Sequence, residues 1–296
     1  MNSGFSYLTQ TQENKWIFYA AGSSWQVWEK PDGCNFIHIV VIGAGSGGGG
    51  GYQRSLGPAS GGGGGASGPV STLMIPAYVL PDKLYIQVAT GGAGGANLAS
   101  GSVGGSTYIG LVPDTTNTLC NILFSITVSG QAAGQGGNGG PGGAGNRNTI
   151  TTPFFGWGRF VNVVAAQNGQ AGIAPSTDLT QTAMVGGGAG GAYTTSADVA
   201  VAGRSITSSY KQPSAVTYSV GQAVGVSDSA GSGPNLISPQ PQFFGGAGGA
   251  ALNTTNTASG GDGGIGCGGG GAGPNLTGGS STGGKGGDGL VIITCW

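Results

Sequence analysis

The chain has 296 residues, 69 of them glycine and 14 proline, and only 19 are Asp, Glu, Lys or Arg, leaving a net charge of −1. With so few cations there is no basic surface to neutralise a run of phosphates, which argues against nucleic acid as a partner. No stretch of about 18 apolar residues could cross a membrane, and no apolar signal segment follows Met1, so neither membrane insertion nor secretory export is expected.

In chain order, residues 1–30 read as a short lead-in or attachment segment, and residues 31–296 as one glycine-rich domain. The clearest strand is 35–42 (NFIHIVVI), rich in β-branched residues and followed by glycine. His38 alternates there with Phe36 and Val40 and reads as a packed strand residue; it is the chain's one histidine, so a histidine-pair metal site is excluded. Next, Gly43, Gly45 and Gly48 satisfy G-x-G-x-x-G after a strand. A dinucleotide site needs a following helix and an acid about 20 residues on. Instead the glycines continue, and no Asp or Glu occurs between Asp32 and Asp82, so no cofactor is expected.

Further strands are expected at 84–89, 121–128, 160–165 and 290–295. Between them the unit Gly-Gly-X recurs in register at 91–96, 136–145, 187–192, 245–250, 260–265 and 283–288. A period of three matches polyproline II, with about 3.1 Å rise per residue. Two of its three faces are then bare backbone, so each such helix is approached closely from two sides. In the longest block, Gly136, Gly137, Gly139, Gly140, Gly142 and Gly143 are the structural glycines, and Asn138 lies on the outward face. Polyproline II has no internal hydrogen bonds, so buried amides must bond between neighbouring helices. The expected class is all-β: β-sandwich-like strands combined with a bundle of polyglycine II helices and almost no α-helix.

Two glycine-poor inserts interrupt the blocks. Residues 146–185 carry Phe154, Phe155, Trp157 and Phe160; residues 204–244 carry Tyr210, Tyr218, Phe243 and Phe244. These aromatics are the candidate receptor or partner contacts; the other reading is that they cap the edges of the bundle. Residues 283–290 (GGKGGDGL) fit a calcium-binding nonapeptide form once, without tandem copies, and Lys285 would oppose a cation, so Asp262 and Asp288 read as solvated outward residues. No nucleophile–base pair stands out, and an enzyme is not expected. Cys34, Cys120, Cys267 and Cys295 have no metal-type spacing and read as small hydrophobes. A Cys34–Cys295 bridge stays open, because both flank strands expected to pair, 36–42 with 290–295.

Residues 25–51 (WQVWEKPDGCNFIHIVVIGAGSGGGGG), 88–96 (VATGGAGGA) and 283–296 (GGKGGDGLVIITCW) together resemble glycine-rich domains of tailed-bacteriophage tail fibre and tail tip proteins. The shared pattern is an aromatic residue, a Pro-x-Gly turn, an alternating strand, Ile-Gly-Ala-Gly with a glycine run, and a closing strand. The resemblance implies a virion component that meets other virion proteins and copies of itself, with a trimer expected from fibre symmetry. It also implies host-surface recognition of a glycan or outer-membrane protein through loops joining glycine helices. A capsid decoration or head fibre is the alternative.

Overall fold

A computed structural model describes residues 15–52, 59–115, 122–126, 161–164, 166–172, 178–193, 201–208, 216–221, 223, 230–236, 242–251, 257–275 and 281–296. Fourteen strands are formed, and no α-helix occurs among the described residues. A five-stranded sheet is built from β1 (Lys15–Tyr19), β14 (Leu290–Cys295), β3 (Phe36–Ile42), β4 (Val70–Pro76) and β8 (Val161–Val164), in that order. A four-stranded sheet has the order β2 (Gln26–Glu29), β5 (Lys83–Gln87), β6 (Thr107–Gly110), β7 (Ile122–Ile126). The closing strand lies antiparallel to β3 as expected, with Leu290 opposite Ile42 and Cys295 opposite Ile37. A disulfide joins Cys34 to Cys295, with their Cα atoms 5.8 Å apart.

The period-2 pattern of β3 and β14 decides which side chains enter the core. Ile37, Ile39, Val291 and Ile293 point inward, where they meet Leu84, Ile86 and Ile109 of the second sheet in one cluster. Trp28 is buried in the same cluster and packs edge-to-face on Trp16, ring centroids 5.8 Å apart. The two sheets therefore make a sandwich. Within the span 1–30 read from sequence as a lead-in, residues 15–29 supply β1 and β2, an edge strand of each sheet. The inserts are likewise part of the architecture. Residues 146–185 contribute β8 and β9 (Leu179–Gln181). Residues 204–244 contribute β10 (Ile206–Ser208), β11 (Val216–Ser219), β12 (Asn235–Leu236) and β13 (Gln242–Phe243). These form the small sheets β11-β10-β9 and β12-β13.

Several strands run directly into or out of glycine segments, which lie side by side and bond to one another. In residues 43–52 the amides address three neighbours in rotation. Gly45 and Gly48 donate to Gly287 and Gly284 (2.8 and 2.9 Å), Ser46 and Gly49 to Ala66 and Gly63 (2.9 and 2.8 Å), and Gly47 and Gly50 to Ser102 and Ala99 (both 2.9 Å). This three-residue rotation is what a threefold extended helix requires of its packing. Residues 267–275 sit at the centre of the array. Their amides donate to segments 186–192, 43–52 and 257–264, and their carbonyls accept from segments 59–69, 245–251 and 281–289. No face of this segment is free, and its text is correspondingly a run of glycines, Gly268–Gly271, rather than Gly-Gly-X.

The outward placement of X holds at the edges and fails inside. Ala93, Ala96, Asp262 and Lys285 are exposed, whereas Ala189, Ala192, Ala247 and Ala250 are fully buried against neighbouring segments. Gly266, with φ +69°, supplies the turn that reverses the chain into the central segment, where the Cys267 amide bonds the Gly264 carbonyl (2.8 Å). The block at Gly136, Gly137, Gly139, Gly140, Gly142 and Gly143 lies outside the described residues.

Candidate functional site

The hydrogen bonds fix the direction of every glycine segment, and hence where the chain reverses. Segment 43–52 leaves β3 and ends at Tyr52, whose amide bonds Ser60 (3.1 Å) at the start of the returning segment. Segment 267–275 ends beside it, with the Asn275 amide on the Tyr52 carbonyl (3.0 Å). The chain then re-enters at Ser281. The Ser281 amide bonds Oδ1 of Asn97 (2.8 Å), its hydroxyl accepts from the Gly51 amide (3.1 Å) and it donates to the Gly273 carbonyl. The turn at Asn97 and Leu98 is at the same level, since the Leu98 amide bonds the Gly51 carbonyl (3.1 Å). Leu98 has φ 62°, the left-handed geometry of a tight reversal.

The other segments run the same way. Gly188 and Gly191 bond Gly65 and Gly62, so 186–193 points away from the sandwich, and Ala251 bonds Val201 (2.8 Å) where the chain has come back. The Ala258 carbonyl accepts from the Gly273 amide (2.8 Å), which places the start of 257–265 at this end too. Ala230 bonds Ser259 (3.1 Å), so Ala230 lies at this end as well. The described residues that flank 53–58, 194–200, 222–229, 252–256 and 276–280, together with the turn at 97–98, therefore lie at the end of the array distal to the sandwich. The connections themselves, apart from the 97–98 turn and Ala223, lie outside the described residues. In sequence they are short and rich in Ser, Thr and Asn, with Arg54 and Asp198 among their few charges.

The aromatics singled out from sequence do not form this end. Phe154, Phe155, Trp157, Phe160 and Tyr210 lie outside the described residues. Phe243 and Phe244 are 1 % and 0 % exposed, which corrects their reading as contact residues. Phe243 packs with Ile42, Val70, Val185 and Leu290 on the second face of the five-stranded sheet. Gln181 Nε2 donates to its carbonyl (2.7 Å). Tyr218 stacks on Phe244 with ring centroids 3.9 Å apart and planes 15° from parallel. Phe243, Phe244 and Tyr218 thus pack where the array meets the sandwich. The residues that set the reversals, Tyr52, Asn97 and Ser281, were missed because no local motif marks them; each is identified by what it bonds across the array.

The remaining chemistry is already committed. Gly45 and Gly48 of the G-x-G-x-x-G sequence spend their amides within the array, and a Cβ at either would strike the Cys267 or Gly270 carbonyl. Asp288 Oδ1 accepts from the Gly91 amide (2.8 Å) and Lys285 Nζ (3.0 Å). Among the described residues no group of three His, Cys, Asp or Glu side chains is placed to hold a metal ion. The densest charge lies beside the disulfide, where Lys30 pairs with Asp82 (2.9 Å) and Lys83 with Glu29 (2.8 Å). Lys30 Nζ also donates to the Leu80 carbonyl (2.9 Å), so it clamps the turn after β4. Glu29, by hydrogen bond and charge, holds the Lys83 ammonium above its ordinary range. The Cys267 thiol is pushed up to about 12 by burial, against the lowering effect of the Gly186 amide, and is no nucleophile. Burial holds His38 below the usual imidazole range.

No curated protein matches the sequence. The description "glycine-rich domain" matches residues 20–296, nearly the whole chain, and the chain belongs to that glycine-rich domain family.

Proposed function

We propose that the protein is a structural component of a bacteriophage virion, a tail-tip or tail-fibre protein that takes part in recognising the host surface, with no enzymatic role. The observation that carries this reading is that the described residues flanking 53–58, 194–200, 222–229, 252–256 and 276–280, with the turn at 97–98, share one end of a backbone-bonded array. A rigid scaffold that gathers its connections at one end is a common way to build a binding surface. The contact surface is therefore placed at the distal end of the array rather than on the buried aromatics of residues 204–244. Host contact is with a surface glycan or outer-membrane protein, and the sandwich end, with β1 and β2 at its edges, faces other virion proteins. The low charge fits a chain that works inside an assembly rather than as a dispersed solute.

The test replaces residues 252–256 and 276–280 with Gly-Ser stretches of equal length, leaving every described residue of the array in place. Assembled particles that no longer adsorb to host cells are the expected result. Particles that assemble and adsorb at the normal rate would sink the recognition role and leave a purely structural one.

A further inference from the structure

The five-stranded sheet has two faces, and one of them is only half covered. Its inward face carries Ile37, Ile39, Leu73, Ile75 and Val291, all buried in the sandwich. On the opposite face, the end nearest the array is covered: Ile42, Val70 and Leu290 pack under Val185, Phe243 and Cys267. Among the described residues nothing covers the other end of that face in this way. Ile17 is 38 % exposed, Phe36 43 %, Met74 49 % and Trp296 46 %. These residues are one surface, as the strand register shows. Ile17 lies opposite Ile292, which lies opposite Val40; Met74 lies opposite His38; and the Phe36 ring stacks on Trp296 with centroids 6.4 Å apart. Scattered exposed apolar residues are ordinary, but here apolar side chains from four strands share one face, interrupted by Lys15, Thr294 and His38 in the row that ends at Met74.

We infer that this face, centred on Phe36, Met74 and Trp296, is the contact between two copies of the chain, packed sheet to sheet about a two-fold axis. Two features of the face favour a second copy over another partner. One is charge: in the register rows described the centre of the face carries His38, which burial holds below the usual imidazole range and so uncharged at neutral pH, and the face's permanent charge is Lys15 at the edge strand, so a charged partner finds nothing to complement. A two-fold contact sets each patch against itself, and an uncharged centre meets itself without repulsion. The other is size. With Tyr19 at the margin, the exposed parts of these side chains amount to roughly 600 Å² per copy, so about 1,200 Å² across a two-fold contact, the lower end of specific interfaces. The dimer formed is correspondingly modest in affinity, and sheets stacked this way sit about 10 Å apart. The contact lies far from the distal reversals, so it does not depend on the recognition role.

The full chain is examined by analytical ultracentrifugation between about 1 and 100 µM, a range that brackets a modest interface. The expected result is a monomer–dimer equilibrium built on the 28.5 kDa chain. Met74→Glu puts a carboxylate opposite its own copy and is expected to weaken association at least 100-fold, with the circular dichroism spectrum and melting temperature unchanged. Met74→Leu keeps the dimer. Thr294→Lys, on the same face, gives a second reading if Met74→Glu fails to fold. A chain that stays monomeric at the top concentration, a closed trimer, or a dimer indifferent to both charged variants would each overturn the inference; the first would point to a different apolar virion protein on this face.

Discussion

The same substitution should have opposite consequences at two glycines. In the central segment, a Cβ at Gly270 would lie 2.6 Å from the carbonyl carbon of Ala247 and closer still to its oxygen. Both are backbone atoms, so no rotamer relieves the collision, and the two segments must part. Overpacking of this kind costs about 1–3 kcal/mol. Parting also stretches the bonds that Gly270 makes to Gly261 and receives from Gly284, both 2.8 Å; a buried amide left unmet adds about 1–3 kcal/mol. The alanine narrows the unfolded ensemble, which returns about 0.4–1 kcal/mol. The net loss is about 1–5.6 kcal/mol. Unfolding entropy of about 2.1 cal/mol/K per residue over 296 residues gives about 0.6 kcal/mol/K, so the melting temperature should fall by about 2–9 °C. At Gly105 a Cβ would meet the Ala89 Cβ at 3.4 Å and the Thr90 oxygen at 3.5 Å, ordinary contact, and the Gly105–Thr90 bond of 2.9 Å is untouched. Gly105→Ala should therefore melt with, or slightly above, the parent. Calorimetry of the two variants decides: equal losses, or a Gly270→Ala protein as stable as the parent, would refute the claim that close backbone packing sets the glycine positions.

The disulfide closes a span of 261 residues, so Cys34→Ser should lower the melting temperature while the folded circular dichroism spectrum is kept; the stabilisation lost is at most about 5 kcal/mol, and an unchanged melt would show that β14 is held by its sheet alone. The Cys267 thiol, raised to about 12 and buried, should resist iodoacetamide at pH 8 until the protein is unfolded, and rapid labelling of the folded chain would contradict its placement. His38 takes up a proton less readily folded than unfolded, so its contribution is present above the unfolded value near 6.5 and is lost as pH falls toward the lower folded value. Melting temperature should drop as pH falls below about 6.5 by more in the parent than in His38→Gln, and parallel profiles would remove His38 from the account. Amide exchange should be slowest in Gly268–Gly273, whose opening requires six neighbours to separate, and faster at the edge amides of Gln170 and Gly105; the reverse order would displace the centre of the array.

Sequence alone carried the all-β class and the sandwich's closure. Residues 36–42 and 290–295 are β-branched runs preceded or followed by glycine, so both strands and their pairing were legible. β1 was not, because KWIFY is five residues with no distinctive flanks and becomes a strand through β14. β9 to β13 have two to four residues each, too short for a period to show. The array exposes a different limit. The hexapeptide GGAGGA occurs at 91–96, 187–192 and 245–250. Its alanines are exposed in the first copy and buried in the other two. Identical local text has different surroundings, and only the neighbours decide which face is interior. What the text does encode is glycine density. The central segment has glycine on every face, the Gly-Gly-X segments on two, and edge segment 166–172 shows Gly169 and Gly172 alone turned to Gly64 and Gly61.

That density also separates what holds the protein together from what it presents. Cohesion in the array comes from main-chain amides and carbonyls, which every connection sequence shares, and from the absence of side chains at the contact positions. Along the central segment, from Cys267 to Gly273, the backbone bonds run to other array segments or to the turn at Gly264. Each described anchor at the distal end is a backbone bond or a short polar group, Tyr52 to Ser60 and Asn97 to Ser281 among them, so it constrains where a connection starts and not what it contains. A frame built this way can carry new residues at one end while its stability stays with Gly268–Gly273, which is the property that a surface meeting a changing target requires.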